Sequence, residues 1–261
     1  MRTIRAIVIA LVAFGALAPL ARPSDFSWHG QLAPGQSIEI KGVNGSIRAE
    51  RASGTEVMVE ASKFARHSDV RSVTVQVVPH ADGVTICAVY PSNDWGRPNE
   101  CAPASGGRMN TNNNDVRVEF TVRVPAGVRF IGRSVNGEVE ADSLTSDVVA
   151  HTVNGKIRIA TSGWAEAKTV NGSINVRMGQ AAAERPIELE TVNGGIDLEL
   201  PPVMNATVHA STVNGRISTD FPLMIHGKFT NREITGTIGQ GGPELNLRTV
   251  NGSIDLRRSG A

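Results

Sequence analysis

The chain carries the stretch Thr152-Val153-Asn154-Gly155-Lys156-Ile157 and repeats its pattern along most of its 261 residues. The tripeptide Val-Asn-Gly occurs seven times, and each time a branched apolar residue stands two positions after the glycine. From Asn136 onward the tripeptides recur about every 20 residues, the length of one supersecondary unit. Their Asn-Gly pairs are Asn44-Gly45, Asn136-Gly137, Asn154-Gly155, Asn171-Gly172, Asn193-Gly194, Asn214-Gly215 and Asn251-Gly252. The repeat predicts an array of similar β units.

Each unit reads as a strand, a tight bend and a second strand. Apolar and polar side chains alternate in 245–249 and again in 254–257, which is the period of a strand with one buried face. Asn and Gly both tolerate positive φ, so we interpret each Asn-Gly pair as a bend. The asparagines are then structural residues rather than ligand contacts.

Two all-β architectures satisfy this pattern. Each Asn-Gly is either a hairpin in an antiparallel meander or a corner between rungs of a parallel β-solenoid. Identical corners favour the solenoid, because equivalent Asn, Val and Ile of adjacent rungs would stack about 4.8 Å apart. We therefore predict a parallel, β-helix-like solenoid of about 20-residue rungs with Val-Asn-Gly corners. A degenerate copy, Ile234–Ile238, is expected to fill the gap between the last two corners.

The chain before the array is less regular. Residues 25–125 are predicted to form an N-terminal β region that caps one end of the array and is continuous with the repeats at 126–258. Val73–Val78 and Val84–Val89 read as a strand pair turning at Asp82-Gly83, and Val116–Val124 reads as a further strand. Tyr90–Asn114 is rich in Pro, Gly, Asn and Ser and reads as a loop.

Residues 1–21 are predicted to be a signal peptide. Arg2 and Arg5 precede the apolar run Ala6–Leu17, and small residues follow up to Ala21. The run is shorter than the roughly 20 residues of a membrane span, although an uncleaved anchor is the alternative. We expect export to the periplasm or cell surface, with no stable membrane span after signal removal.

The net charge argues against some classes of partner, and the two cysteines indicate an oxidising compartment. Loss of residues 1–21 would change the formal charge from +1 to about −1, which gives no attraction to nucleic acid or to an anionic membrane. The two cysteines, Cys87 and Cys101, are expected to form a disulfide in an oxidising compartment. Such a bond would stabilise the loop that it closes by roughly 3 kcal/mol.

The repeat also points to a known family. Val122–Gly127, followed by Ser134–Val139 and by further Val-Asn-Gly units, resembles the DUF4097 family of β-strand-repeat proteins, which are labelled as adhesins. The likeness runs from about Ser37 to Leu256 and implies an extracytoplasmic bacterial protein with a β-solenoid core. It brings no catalytic residues with it, and the Cys-bracketed loop departs from its pattern.

The loop holds the candidate ligand contacts Tyr90, Trp95 and Arg97. Exposed aromatics beside amides can stack on sugar rings, whereas the alternative is that Tyr90 and Trp95 pack over the disulfide as a minor core. The segment Asn110–Asp115 has only one carboxylate and lacks the spacing of a calcium loop, so we expect no metal there. No cofactor is expected.

An enzymatic function is not favoured. The outward acids Glu140, Asp197 and Asp255 are expected on separated rungs, and the six histidines show no metal-ligand spacing. The leading hypothesis is a non-enzymatic envelope protein, an adhesin or surface scaffold whose partner is an envelope protein or a glycan. The alternative is a periplasmic structural or envelope-maintenance protein that binds another envelope protein, and the third is a glycan-acting β-helix enzyme.

Overall fold

The computed structural model describes residues 25–92, 94, 96–179 and 185–260. The predicted signal peptide, residues 1–21, lies outside this part of the chain. Regular structure in the described residues is β-strand, apart from one 3-10 turn at Val70–Ser72. No helix in these ranges has the length and apolar character needed to cross a membrane.

The strands form two sheets. Sheet 1 contains, in spatial order, β1 (Phe26–Gln31), β4 (Glu56–Phe64), β7 (Arg117–Val124), β3 (Ile47–Arg51), β9 (Val139–Leu144), β11 (Ile157–Thr161), β13 (Ile174–Met178), β15 (Ile196–Leu200), β21 (Ile254–Arg258) and β17 (Ile217–Thr219). Sheet 2 contains β18 (Leu223–Phe229), β19 (Glu233–Ile238), β16 (Ala206–Asn214), β20 (Glu244–Asn251), β14 (Ile187–Glu190), β12 (Ala165–Lys168), β10 (Val148–His151), β8 (Arg129–Arg133), β2 (Ser37–Lys41), β6 (Gly83–Val89) and β5 (Thr74–His80).

Each Val-Asn-Gly unit is one rung of a parallel β-solenoid. Its first strand lies in sheet 2, the tripeptide forms the corner, and its second strand lies in sheet 1. Neighbouring rungs pair in parallel, so that Ile157 faces Val139 on one side and Ile174 on the other. The predicted solenoid is confirmed, and the antiparallel meander is excluded for the corners.

The core lies between the two sheets and consists of stacked branched side chains. The residue two positions after each corner glycine forms one column, which is fully buried at Ile47, Val139, Ile157, Ile174 and Ile254. Alanines of sheet 2, such as Ala150, Ala165 and Ala167, face this column and are equally buried. Large and small residues thus meet across the core, which suits a chain with few aromatic side chains.

Spatial order departs from chain order at both ends of the solenoid. The rung β20–β21 lies between β14–β15 and β16–β17, although it comes last in the sequence. The rung β2–β3 likewise lies between β6–β7 and β8–β9. In space the corner asparagines therefore run in the order Asn44, Asn136, Asn154, Asn171, Asn193, Asn251, Asn214.

The degenerate copy does not form a corner, so that prediction is wrong. Ile234–Ile238 lies within the continuous strand β19, which pairs antiparallel with β16 and β18. Without the asparagine the segment lacks the side chain that links one corner to the next. Instead, β19 extends sheet 2 beyond β16, and β18 forms the edge of the sheet.

Antiparallel strands close the solenoid at both ends. At the N-terminal end β1 and β4 extend sheet 1, and β5 pairs with β6 across the turn that includes Asp82-Gly83. Neither sheet is interrupted near residue 125, because β2 pairs with β8 and β3 pairs with β9. The capping region and the repeats therefore share both sheets.

Candidate binding edge

The corners are joined to one another by backbone hydrogen bonds. The amide of Asn154 donates to the carbonyl of Val135 (2.7 Å), and the amide of Gly155 donates to the carbonyl of Asn171 (3.0 Å). Beneath the corner, the buried Thr152 hydroxyl donates to the Gly137 carbonyl (2.9 Å). The same threonine bond recurs at the later corners, so one edge of the solenoid is a rigid and regular structure.

The asparagine side chains form a continuous chain of amide hydrogen bonds, the asparagine ladder. It comprises Asn44, Asn136, Asn154, Asn171, Asn193, Asn251 and Asn214, and neighbouring amides are 2.7–3.0 Å apart. The other six asparagines each donate from Nδ2 to the Oδ1 of the neighbour on the side of Asn44. The ladder therefore ends at Asn44, whose amide lies beside the Tyr90 hydroxyl, and at Asn214, whose Oδ1 bonds to no described side chain.

The corner glycines are required by close approach rather than by positive φ. Of the seven, only Gly45 has φ in the left-handed region, at 120°. An added Cβ at Gly172 would overlap the carbonyl oxygen of Gly155, and the same overlap recurs along the row. No corner asparagine has positive φ either. The bend explanation from the sequence is therefore wrong in its physical reason, although the residues lie at the corners as predicted.

The valine of the tripeptide faces solvent at five neighbouring corners. These residues form the valine stripe: Val153, Val170, Val192, Val250 and Val213, with 38–56% of their surface exposed. The asparagine beside each of them is exposed as well. The repeat alone could not distinguish a buried from an exposed valine, because the strand period breaks at a corner.

The N-terminal end of the edge is covered. Val43 is only 3% exposed, because the loop 90–116 connects β6 to β7 where another corner would otherwise lie. Below this loop the ladder ends in an open cavity, the end pocket, lined by Asn44, His67, Ser68, Thr111, Asn113, Asn114 and Asp115. The edge thus runs from an uncovered corner at Asn214 to a corner at Asn44 whose valine is covered by the loop and whose asparagine lines the end pocket.

The loop is fixed by covalent and polar contacts. The predicted disulfide between Cys87 and Cys101 is present, with the two Cα atoms 5.7 Å apart. The buried Lys41 ammonium donates to the carbonyls of Ala102 (2.6 Å), Ala104 (2.6 Å) and Gly106 (3.1 Å). Burial lowers the pKa of Lys41, while the nearby Glu39 carboxylate acts in the opposite direction.

Asp115 organises the other side of the end pocket. Its carboxylate accepts hydrogen bonds from the amides of Ser68 (2.8 Å), Arg66 (3.0 Å) and His67 (3.0 Å). These donors, Ser68 first, hold the pKa of Asp115 far below its usual range. The carboxylate is thereby occupied by the protein's own backbone.

The three predicted ligand contacts do not form one site in the described residues. The Tyr90 ring is 2% exposed, and its hydroxyl donates to the Val116 carbonyl (2.7 Å), so the ring offers no stacking surface. Burial raises the pKa of Tyr90 to about 12. Arg97 is exposed in the loop. Trp95 lies outside the described residues, and its ligand contact stays a prediction.

The outer face of sheet 2 carries a row of paired charges. The contacts are Glu39–Arg133 (2.9 Å), Arg133–His151 (2.7 Å), His151–Glu166 (2.8 Å) and Lys168–Glu188 (2.7 Å). Arginine can only donate, so His151 accepts at Nδ1 and donates from Nε2 to Glu166. This bond lowers the pKa of Glu166. The charges on this face are largely satisfied by one another.

On the outer face of sheet 1, two acids that were expected on separated rungs lie on adjacent rungs. Asp197 and Asp255 stand in register on neighbouring rungs, because β21 pairs with β15. Burial raises the pKa of Asp197, which is paired with Arg257 at 2.7 Å. Asp255 accepts a hydrogen bond from Ser218. Both acids are thus engaged on a face where Arg158 and Arg177 also lie.

No group of three or more His, Cys, Asp or Glu side chains that could hold a metal ion occurs in the part of the chain that the structure describes.

These features define a class: an all-β solenoid repeat protein whose corners are joined by an asparagine ladder. The family model described as Toastrack DUF4097 matches residues 29–257. The chain therefore belongs to the DUF4097 family, and the resemblance seen in the sequence is confirmed.

The remaining comparisons add little. The solved structure of a candidate cell adhesion protein from Clostridium sporogenes is 9% identical, with 90% of this chain and 99% of that chain covered and a TM-score of 0.48. At this level the likeness carries no conclusion about function. No curated protein matches the chain.

Proposed function

We propose that the protein is an exported, non-enzymatic scaffold of the cell envelope that acts as an adhesin through its corner edge. The observation that carries the proposal is the valine stripe beside the asparagine ladder. Five corners in a row expose an apolar side chain and an amide, on a frame that hydrogen bonds make rigid. A rigid edge binds with little loss of conformational entropy.

The adhesin label of the resembling family agrees with this proposal, as does the predicted signal peptide. A disulfide supports export as well, because disulfides persist mainly in oxidising compartments.

The test is protease accessibility on intact cells, with a periplasmic protein as control. Digestion while the control is spared supports a surface adhesin. Protection until the outer envelope is opened means that the protein is periplasmic, and the adhesin function is then wrong. Protection that persists in opened cells would contradict export itself.

A glycan-acting enzyme is the third candidate, favoured only by the register of Asp197 with Asp255. Paired acids in a groove are what glycoside hydrolysis requires. Here each acid has a partner of its own, Arg257 or Ser218. If purified protein released sugars from envelope polysaccharide and Asp197→Asn abolished the release, the non-enzymatic proposal would be wrong.

A further inference from the structure

The exposed edge has unused hydrogen-bonding capacity at a regular interval. An asparagine amide offers two N–H donors and two acceptor lone pairs. The ladder uses one donor and one acceptor of each interior asparagine. One donor and one acceptor per rung therefore remain on side chains such as Asn154, Asn171 and Asn193, which are exposed.

Apolar surface accompanies these amides at the same interval. Each exposed asparagine has one valine of the stripe as its chain neighbour, and rungs repeat about every 4.8 Å. We propose that a linear, uncharged polysaccharide of β-linked sugars binds along this edge, with the end of its chain in the end pocket. This inference rests on the proposed function and names its ligand class.

The chemistry of the edge selects this class of polymer. A β-1,4-linked sugar chain is extended and advances by a similar distance per residue, and it presents apolar C–H groups and hydroxyls in regular succession. Valine methyl groups would contact the C–H groups, while the spare amide groups would bond to the hydroxyls. A polypeptide of ordinary sequence lacks such a repeat.

Charge argues against a polyanion. The valine stripe and the ladder are uncharged, and several cations of the neighbouring faces are paired, as Arg257 is with Asp197. The two exposed cations that directly follow a corner glycine, Lys156 and Arg216, lie four rungs apart, too far to form a continuous basic track. Nucleic acids and anionic polymers bind through unpaired cations. An uncharged ligand fits the edge better.

The end pocket would hold the end of the sugar chain. Asn44, at the end of the ladder, and the exposed Asn113 both line this cavity. Thr111 adds a hydroxyl group. Asp115 is engaged by three backbone amides and by the His67 ring. The Asn113 amide and the Thr111 hydroxyl are therefore the uncharged groups that the pocket offers to a ligand. Such groups suit the hydroxyls of a terminal sugar.

Isothermal titration with two length series tests the proposal: cello-oligosaccharides and oligomers of N-acetylglucosamine. Affinity should rise with chain length until the oligomer spans the five exposed corners, because each rung adds contacts. Malto-oligosaccharides, whose α-linkages coil the chain, should bind at least about tenfold more weakly. Absence of binding in both β-linked series, or affinity independent of length, would overturn the proposal.

Charged substitutions in the stripe test its location. The double variant Val170→Glu with Val192→Glu should weaken binding of the longest oligomer by about tenfold or more. Its matched control is Val203→Glu, at a valine that is 89% exposed outside the stripe and should leave affinity unchanged. The unfolding midpoint of each variant verifies folding. Equal affinity of the double variant and the control contradicts binding along the edge.

A variant in the end pocket tests whether the end of the sugar chain binds there. Asn113 has φ of 50°, so Asn113→Gly removes the amide without backbone strain. It should weaken short oligomers by about tenfold and longer ones by a smaller factor. An unchanged affinity for short oligomers would overturn the assignment of the end pocket.

Co-sedimentation with isolated envelopes separates this inference from the proposed function. Loss of co-sedimentation after glycan digestion supports both. If no oligosaccharide binds and the protein still sediments after the digestion, a protein partner is indicated. The polysaccharide inference is then wrong while the scaffold function stands. No co-sedimentation with untreated envelopes would contradict the proposed function itself.

Discussion

The two ends of the solenoid share a topology but differ in what covers the corner. At each end one rung is inserted out of chain order, β2–β3 at the N-terminal end and β20–β21 at the C-terminal end. At the first end a disulfide-bonded loop covers the edge, and Val43 is 3% exposed. At the other end no described loop covers the corner, and Val213 is 56% exposed.

The difference shows that an identical tripeptide can supply either core or surface. Local sequence determines the corner and its ladder contact, whereas a distant loop determines whether the valine is buried. The contrast between the ends depends on an unbroken ladder between them and on the anchoring of the loop, and both can be changed by substitution.

Breaking the ladder in its middle should have the largest effect. In Gly172→Ala the new Cβ would overlap the Gly155 carbonyl oxygen, so the rungs must separate at a cost of more than about 4 kcal/mol. Urea unfolding measures this loss, or the variant fails to fold. Gly54→Ala is the matched control, because its Cβ meets open space and should change stability by less than about 0.5 kcal/mol. A similar midpoint for both variants would contradict the close-approach explanation.

Removing the disulfide should loosen the loop at the N-terminal end, so that the corner there becomes as accessible to solvent as the corner at the other end. Cys87→Ser with Cys101→Ser frees a loop closed over a separation of 14 residues, at a cost of about 3 kcal/mol. Hydrogen exchange should accelerate around Val43 and Tyr90 while β13 and β15 keep their protection. Uniform acceleration throughout both sheets would mean that the loop stabilises the whole solenoid rather than its end.

The loss of stability on removing an asparagine side chain should depend on its position in the ladder. Asn154→Ala loses two amide hydrogen bonds and should cost about 1 to 2 kcal/mol. Asn214→Ala loses one at the open end and should cost about 0.5 kcal/mol. Chemical denaturation of the two variants gives the comparison. Equal losses would show that the ladder adds little beyond the corner backbone.

The prediction with the smallest expected effect at neutral pH is the titration of Tyr90, the single tyrosine of the chain. Burial raises its pKa to about 12 from 10.0. The folded protein therefore keeps this proton where the unfolded chain loses it, and stability should fall as pH rises from 10 towards 12. Phenolate absorbance follows the titration. In the variant without the disulfide the pKa should move back towards 10, and an unchanged value would show that the cover is intact.

The sequence was sufficient for the rung, the corner and the disulfide, because each follows from a local pattern. It could not give the order of rungs in space. Near-identical corners can pair with any other corner, so chain order wrongly separated Asp197 from Asp255. The exposed valines and the role of Lys41 were also missed. Exposure depends on a distant loop, and a lone lysine gives no sequence signal for the three carbonyls that it binds.

The insertion of β20–β21 also affects the order in which the rungs can assemble. Residues 206–238 leave the ribosome before residues 244–258, yet the later segment must enter between them and β14–β15. Because the corners are alike, we expect that Asn214 pairs with Asn193 in a provisional register until the later segment arrives. Completion of the native stack then requires this contact to open, which makes the last rung the step where assembly is expected to be slowest.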